Sequence, residues 1–335
     1  MNAAADTPAE TKHQPAFIHS FGVKDTVGTR LTWEQLQAPD FVNGYDFVWM
    51  HLNATAEDTG PFLRRLPDMP PQAISALLAG ESRPRMIRFE HGLAVNLRGV
   101  NVNPEEERED LVSLRIWCDA RRVITTRRRF VRSIRDTRMV VEAPGGPATS
   151  GELVALIASN MTLGVEPQIM EISDLVDGLE DEIVTSSELS LRAKLSAARH
   201  DAVVLRRFIA PQRDALSRLA NEEIDLFDHK AKTELREVAD VVTRMLEEID
   251  ATRERAMVLH DQIMDLRSEE MNRNMLILST AAAIFLPLGF ITGLLGINVA
   301  GIPGADFHLA FWFVVAFCGL IAVGLVAYFR SKDWL

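Results

Sequence analysis

The sequence predicts an α+β protein: a cytoplasmic α/β domain, then long stalk helices, then a two-helix transmembrane hairpin. Three observations predict it. Short β-rich runs separated by turns fill the amino-terminal third, no Pro or Gly interrupts the chain from Asn221 to Leu286, and two charge-free apolar stretches lie near the end. The chain has 335 residues with 36 Lys+Arg against 47 Asp+Glu. From residue 271 onward only Arg273, Arg330 and Lys332 stand against Asp306 and Asp333, so the first 270 residues carry a net charge of about −12. Such acidity disfavours a nucleic-acid partner, which needs clustered cations, and favours cations as the species handled. Two cysteines, Cys118 and Cys318, are too few and too far apart for a disulfide framework.

Residues 1–15 are polar and lack the apolar core of a signal peptide, which predicts a disordered tail. The α/β domain is expected over 16–145. Its strands are read at Tyr45 to Leu52, Arg85 to Glu90, Leu93 to Leu97, Leu111 to Cys118 and Arg122 to Thr126, with a helix at Pro70 to Leu78 and an exit linker from Ala143 to Thr149. A helical stalk region is expected over 146–273. Thr149 with Glu152, and Thr185 with Glu188, have the spacing of capping boxes, so helices should run from Glu152 to Val184 and from Glu188 to Leu219, the second bent at Pro211. Apolar positions then step by three and four from Leu235 to Leu266 with one polar intruder, Thr252. A helix of about 70 residues would reach roughly 105 Å and feed directly into the first span. Between Glu222 and Glu270 it carries fifteen acidic and seven basic residues, a field that would draw divalent cations if several copies met.

The hairpin occupies 274–335. Met275 to Leu295 and Leu309 to Phe329 hold about 21 residues each, roughly 32 Å of helix, enough for a hydrocarbon core of about 30 Å. Arg267, Arg273, Arg330 and Lys332 flank the outer ends, while the link over 297–308 has no Lys or Arg. Both termini are therefore expected to be cytoplasmic and the link external. Two helices cannot enclose a water path, so conduction requires a homo-oligomer. Met275, Leu278, Ala282, Leu286, Gly289, Gly293 and Gly296 share one face of the first span, which suits either a pore lining or a packing surface.

Zinc takes nitrogen and sulfur ligands. His51, His91, His200, His229 and His260 are scattered without ligand spacing; His308, beside Asp306 in the link, is the exception worth testing. A basic cluster at Arg121, Arg122, Arg127, Arg128, Arg129, Arg132 and Arg135 lacks interleaved aromatic platforms, so salt bridges to the acidic helices are expected rather than RNA. There is no nucleophile elbow, phosphate loop or paired carboxylates in catalytic context, so neither an enzyme nor a cofactor is expected.

The run from Phe285-Leu286-Pro287-Leu288-Gly289-Phe290 through Gly296-Ile297-Asn298, with the terminal Lys332-Asp333-Trp334-Leu335, resembles the CorA family of metal ion transporters. The tripeptide Gly296-Ile297-Asn298 stands where that family carries its signature at the end of the first of two spans. The following Val-Ala-Gly-Ile-Pro-Gly, and Leu114 to Arg127 upstream, are similar to its zinc-transporting, ZntB-like branch. The resemblance implies a pentameric funnel in the inner membrane, with five first spans lining a pore. Asn272, Met275, Leu278, Leu286 and Gly289 would face that pore, and Asn298 would ring the outer mouth. The carbonyls of Gly296 and Ile297 could join that amide in facing hydrated cations. Gly289 replaces a threonine of the family's magnesium channels, and the link lacks their Glu, which turns the expectation toward Zn²⁺ uptake, with proton coupling open. The rival within the class is a Mg²⁺ or Co²⁺ channel. From another class, a membrane-anchored coiled-coil scaffold or sensor would be indifferent to Asn298→Ala. Expected partners are further copies of the chain, membrane lipid and divalent cations.

Overall fold

The computed structural model describes residues 16–80, 82–102, 111–182, 188–297, 302, 304 and 307–332. The expected tail and residues 185–187 of the second capping box lie outside them. The chain divides into two compact units, Met1–Met257 and Val258–Leu335.

The first unit is built on a seven-stranded sheet. Its strands are β1 (Phe17–Lys24), β2 (Val27–Arg30), β3 (Phe47–Asn53), β4 (Arg85–Phe89), β5 (Gly92–Gly99), β6 (Val112–Cys118) and β7 (Arg122–Arg127), in the order β2-β1-β3-β7-β6-β5-β4. Only β3 and β7 pair in parallel, Val48 opposite Arg122 through Asn53 opposite Arg127. Apolar side chains alternate between the faces. Val48, Met50, Leu52, Trp117 and Ile124 join a core with α1 (Thr59–Arg65) and α2 (Pro71–Leu78), whereas Phe47, Trp49, Leu114, Ile116 and Val123 join a core on the other side. That second core is closed by α3 (Arg132–Glu142), α4 (Ser150–Leu163), α6 (Glu188–Asn221) and α7 (His229–Leu295). With both faces covered, strands such as β5 are buried at every position.

The sequence reading missed β1, β2, α1 and α3, and joined into one helix what the structure divides. α4 stops at Leu163, Val165 N–H closes a turn onto Thr162 O, and α5 (Glu166–Glu182) starts anew. The capping box at the start of α4 is present: Thr149 Oγ1 accepts the Glu152 N–H at 3.1 Å, and Glu152 Oε2 accepts the Ala148 N–H at 3.1 Å and the Lys230 ammonium at 2.8 Å. Gly151 is needed there, because an added Cβ would stand 2.1 Å from Leu226 O. Pro211 lies inside an unbroken α6. α7 starts at His229 rather than near Asn221, and Leu235, Val238, Val242, Met245 and Ile249 along it are buried in the same core.

Four arginines of the basic cluster, Arg121, Arg122, Arg127 and Arg128, have partners other than the expected acidic helices. Arg122 bonds Asp119 at 2.8 Å, Arg121 and Arg128 donate to backbone carbonyls, and Arg127 lies 5.1 Å over the Phe130 ring. Arg122 is held by the β6–β7 turn, Arg121 by the segment ahead of β3 and Arg128 by the end of α2.

The second unit contains the end of α7 and α8 (Ala310–Ser331), two helices long and apolar enough to cross a membrane. A third stretch, 150–182, also qualifies by composition. Half of it is buried within the first unit, and it is broken between α4 and α5, so it belongs to that core.

Candidate functional site

Each apolar helix of the second unit has one covered stripe. On α7 it follows Leu276, Thr280, Ile284, Pro287, Leu288 and Ile291; on α8 it follows Ala310, Val314, Cys318, Ile321, Leu325 and Phe329. Steps of three and four on both mark one partly covered face on each helix, with Thr280 and Phe329 its buried members. The face of α7 predicted from periodicity is the opposite one. Met275, Leu278 and Leu286 are 59%, 72% and 75% exposed, and a Cβ added to Gly289 or Gly293 would meet nothing within 4 Å.

Asn272 is exposed on the same helix, one turn before the charge-free run. Gly296 closes the helix, its N–H bonded to Thr292 O at 3.0 Å, and Ile297 beyond it is half-exposed. Asn298 and Asp306 lie outside the described residues; His308 is described and exposed. Thr292 was overlooked by the sequence reading. It lies three residues beyond Gly289 on the flank of the exposed face, and its hydroxyl donates to Leu288 O at 2.9 Å, which leaves lone pairs turned outward. The three-residue offset from Gly289 was the available signal. Chemically the face is apolar with glycine openings. A bare divalent ion would cost several kcal/mol or more there, whereas a hydrated ion needs only width and a few oxygens.

The polar intruder Thr252 has a role in the first unit. It is buried, and Arg255 Nη2 donates to Thr252 Oγ1, to Ser173 Oγ at 2.7 Å and to Glu248 Oε1 at 2.9 Å, while Arg255 Nη1 meets Asp177 Oδ1 at 2.9 Å. This clasp ties α5 to α7, and Arg206 with Asp250 at 2.6 Å ties α6 to α7. Hydrogen bonds from Ser173 and from Arg206 hold the Glu248 and Asp250 carboxyls below the usual range.

Two histidines are buried on the sheet face beneath α3. His19 of β1 is opposite His51 of β3, with ring centroids 4.9 Å apart. Thr125 Oγ1 accepts the Trp49 indole N–H at 2.9 Å and lies 2.8 Å from His51 Nδ1. Burial, and then the Arg138, Arg127 and Arg30 charges, push His19 down to about 3; burial and His19 itself push His51 well below its ordinary value. Three arginines around two imidazoles repel a cation, so this pair is no metal centre. Among the described residues no group of three or more His, Cys, Asp or Glu side chains is arranged to hold a metal ion.

A sheet-and-helix unit whose last helix runs on into one of two apolar, span-length helices gives the chain the make-up of an integral membrane protein. The chain belongs to the CorA family: residues 44–331 match the family described as CorA-like Mg2+ transporter protein. It is 37% identical to the Divalent cation transporter CmaX of Pseudomonas aeruginosa over 86% of this chain and 87% of that one. It is 32% identical to the Zinc transport protein ZntB of Pectobacterium carotovorum over 97% of this chain and 98% of that one. The solved structure of full-length CmaX superposes with a TM-score of 0.81 at 34% identity, over 97% of this chain and 100% of that one. The protein is thus a divalent-cation transporter and not an enzyme.

Proposed function

We propose that the chain assembles as a homopentamer in the inner membrane and moves Zn²⁺ into the cytoplasm along an axis lined by the first spans. The observation that carries this is the division of α7 into two faces. One is covered within its own chain, and the other, from Met275 to Gly293, is exposed and free to meet further copies. Five such faces would set Met275, Leu278 and Leu286 as apolar constrictions that close by dewetting, with Asn272 below and the Asn298 amides and the Gly296 and Ile297 carbonyls above. Thr292 would add a hydroxyl ring at the flank of Gly289. Asp306 and His308 are proposed as an external capture point. Flanking cations support cytoplasmic termini.

The zinc reading draws on the two relatives' names, one specific and one generic, and on the neutral link. A Mg²⁺ or Co²⁺ path is the second reading, favoured by the family's description. Uptake into liposomes by purified protein separates them: Zn²⁺, Mg²⁺ and Co²⁺ are compared with and without a pH gradient, in wild type and Asn298→Ala. Zinc entry lost in Asn298→Ala is the expected result, with any dependence on the gradient reporting proton coupling. Ready Mg²⁺ entry without Zn²⁺ would overturn the cargo, and unchanged Zn²⁺ entry in the variant would overturn the amide ring.

A further inference from the structure

The helical layer beneath the sheet has two edges of opposite chemistry. On α4, Asn160 turns to α3, donating to Thr137 Oγ1 at 3.1 Å, while Thr162 lies on the opposite flank and lines a groove shared with α7. α3 turns Thr137 inward, so Arg135 and Met139 point away from the layer, while Arg132, one turn before Arg135, stands at the mouth of a second groove with Asn160 and Glu171. All three are exposed, Met139 by 52%, and neither guanidinium has a hydrogen bond or ion pair among the described residues. The groove at the other edge holds about 650 Å³, with Leu163, Val238 and Val241 as its apolar lining and Glu234 and Glu237 on its rim. Its one lysine, Lys230, is already bonded to Glu152. Burial, with the Glu152 and Glu237 carboxylates, raises the Glu234 pKa against the lowering pull of Lys230, so one shared lysine does not balance the carboxylates of this groove.

We infer that this groove receives the Arg132, Arg135 and Met139 face of α3 from a second copy of the chain. The methionine would fill the apolar lining and the guanidiniums would reach Glu234 and Glu237. Complementary patches on opposite edges give a head-to-tail contact, which closes into a ring when the rotation between copies divides the circle. The inference rests on the homo-oligomer proposed above, and it names the cytoplasmic faces through which the copies meet.

The test uses the full chain in detergent with Cys318→Ala, Cys118 being sealed in the core. Two differently tagged chains are co-expressed, one with Arg135→Cys and the other with Glu237→Cys, and oxidised; only a bond between copies can carry both tags. In parallel, Arg132→Glu with Arg135→Glu, and Glu234→Lys with Glu237→Lys, are made separately and together, and assembly is followed by native mass. The expected result is a mixed-tag dimer, weakening of assembly by roughly tenfold or more in either reversal, and recovery when both are combined, which misfolding cannot produce. An assembled protein that gives no mixed-tag bond and ignores the reversals would overturn the contact alone. A chain that is monomeric throughout would overturn the oligomeric pore and this contact with it.

Discussion

Acid should loosen the first unit through the buried histidine pair, and the size of the effect follows from His19. An unfolded histidine titrates near 6.5, whereas His19 in the sheet is pushed down to about 3, because its 5% exposure and the Arg138, Arg127 and Arg30 charges oppose the proton. The unfolded state therefore binds the proton first. Stability from this residue is whole above pH 6.5 and is lost as pH falls from 6.5 toward 3. One bound proton costs about 1.4 kcal/mol per pH unit, so His19 alone removes about 2 kcal/mol by pH 5. His51, depressed by burial and by His19, acts in the same direction. Urea titrations between pH 7.5 and 5, with Trp312 and Trp334 replaced by Phe so that emission reports Trp33, Trp49 and Trp117 of the first unit, measure the slope directly. His19→Gln removes one titrating group and should lower that slope by about 1.4 kcal/mol per pH unit below pH 6.5, whatever it does to the absolute stability. A midpoint that stays level from pH 7.5 to 5, or a variant with the wild-type slope, would refute the reasoning.

Gly151→Ala should destabilise the first unit by about 1–3 kcal/mol in a thermal melt, since the new Cβ meets the Leu226 carbonyl ahead of α7. Arg255→Met should cost only about 1 kcal/mol, because the clasp side chains are about half exposed, yet it should speed hydrogen exchange in α5 while leaving β5 and β6 protected. Leu286→Ser places a hydroxyl on the exposed stripe of α7 and should raise basal Zn²⁺ leak into liposomes; an unchanged leak would argue against a constriction at that level.

What could be read from the sequence was whatever depends on one helix or strand at a time. The two apolar runs, the capping box at Thr149 and the five strands β3 to β7 announce themselves by local pattern. β1 was hidden because Phe17 to Lys24 interleaves His19, Ser20 and Gly22 with its apolar positions, and the four residues of β2 hold only one apolar side chain. α3 was hidden by its charges: only Ser133, Ile134, Thr137 and Val141 are buried, and the arginines around them read as a patch rather than a helix. The stripe on α7 was legible from spacing, but which apolar face is covered was not. Lipid, a neighbouring helix and a pore constriction all ask for the same side chains, and only tertiary packing separates Leu276 and Ile284 from Leu278 and Leu286.

The single parallel pairing, β3 with β7, has a consequence for biosynthesis. Val48 finds Arg122 only after more than seventy intervening residues exist, so the hairpin-built halves of the sheet are joined by a late, non-local closure. Every residue of the first unit nevertheless precedes Met275. A translating ribosome thus finishes the whole sheet-and-helix body before it makes either of the two exposed apolar helices, and the order of synthesis spares the sheet from folding beside them.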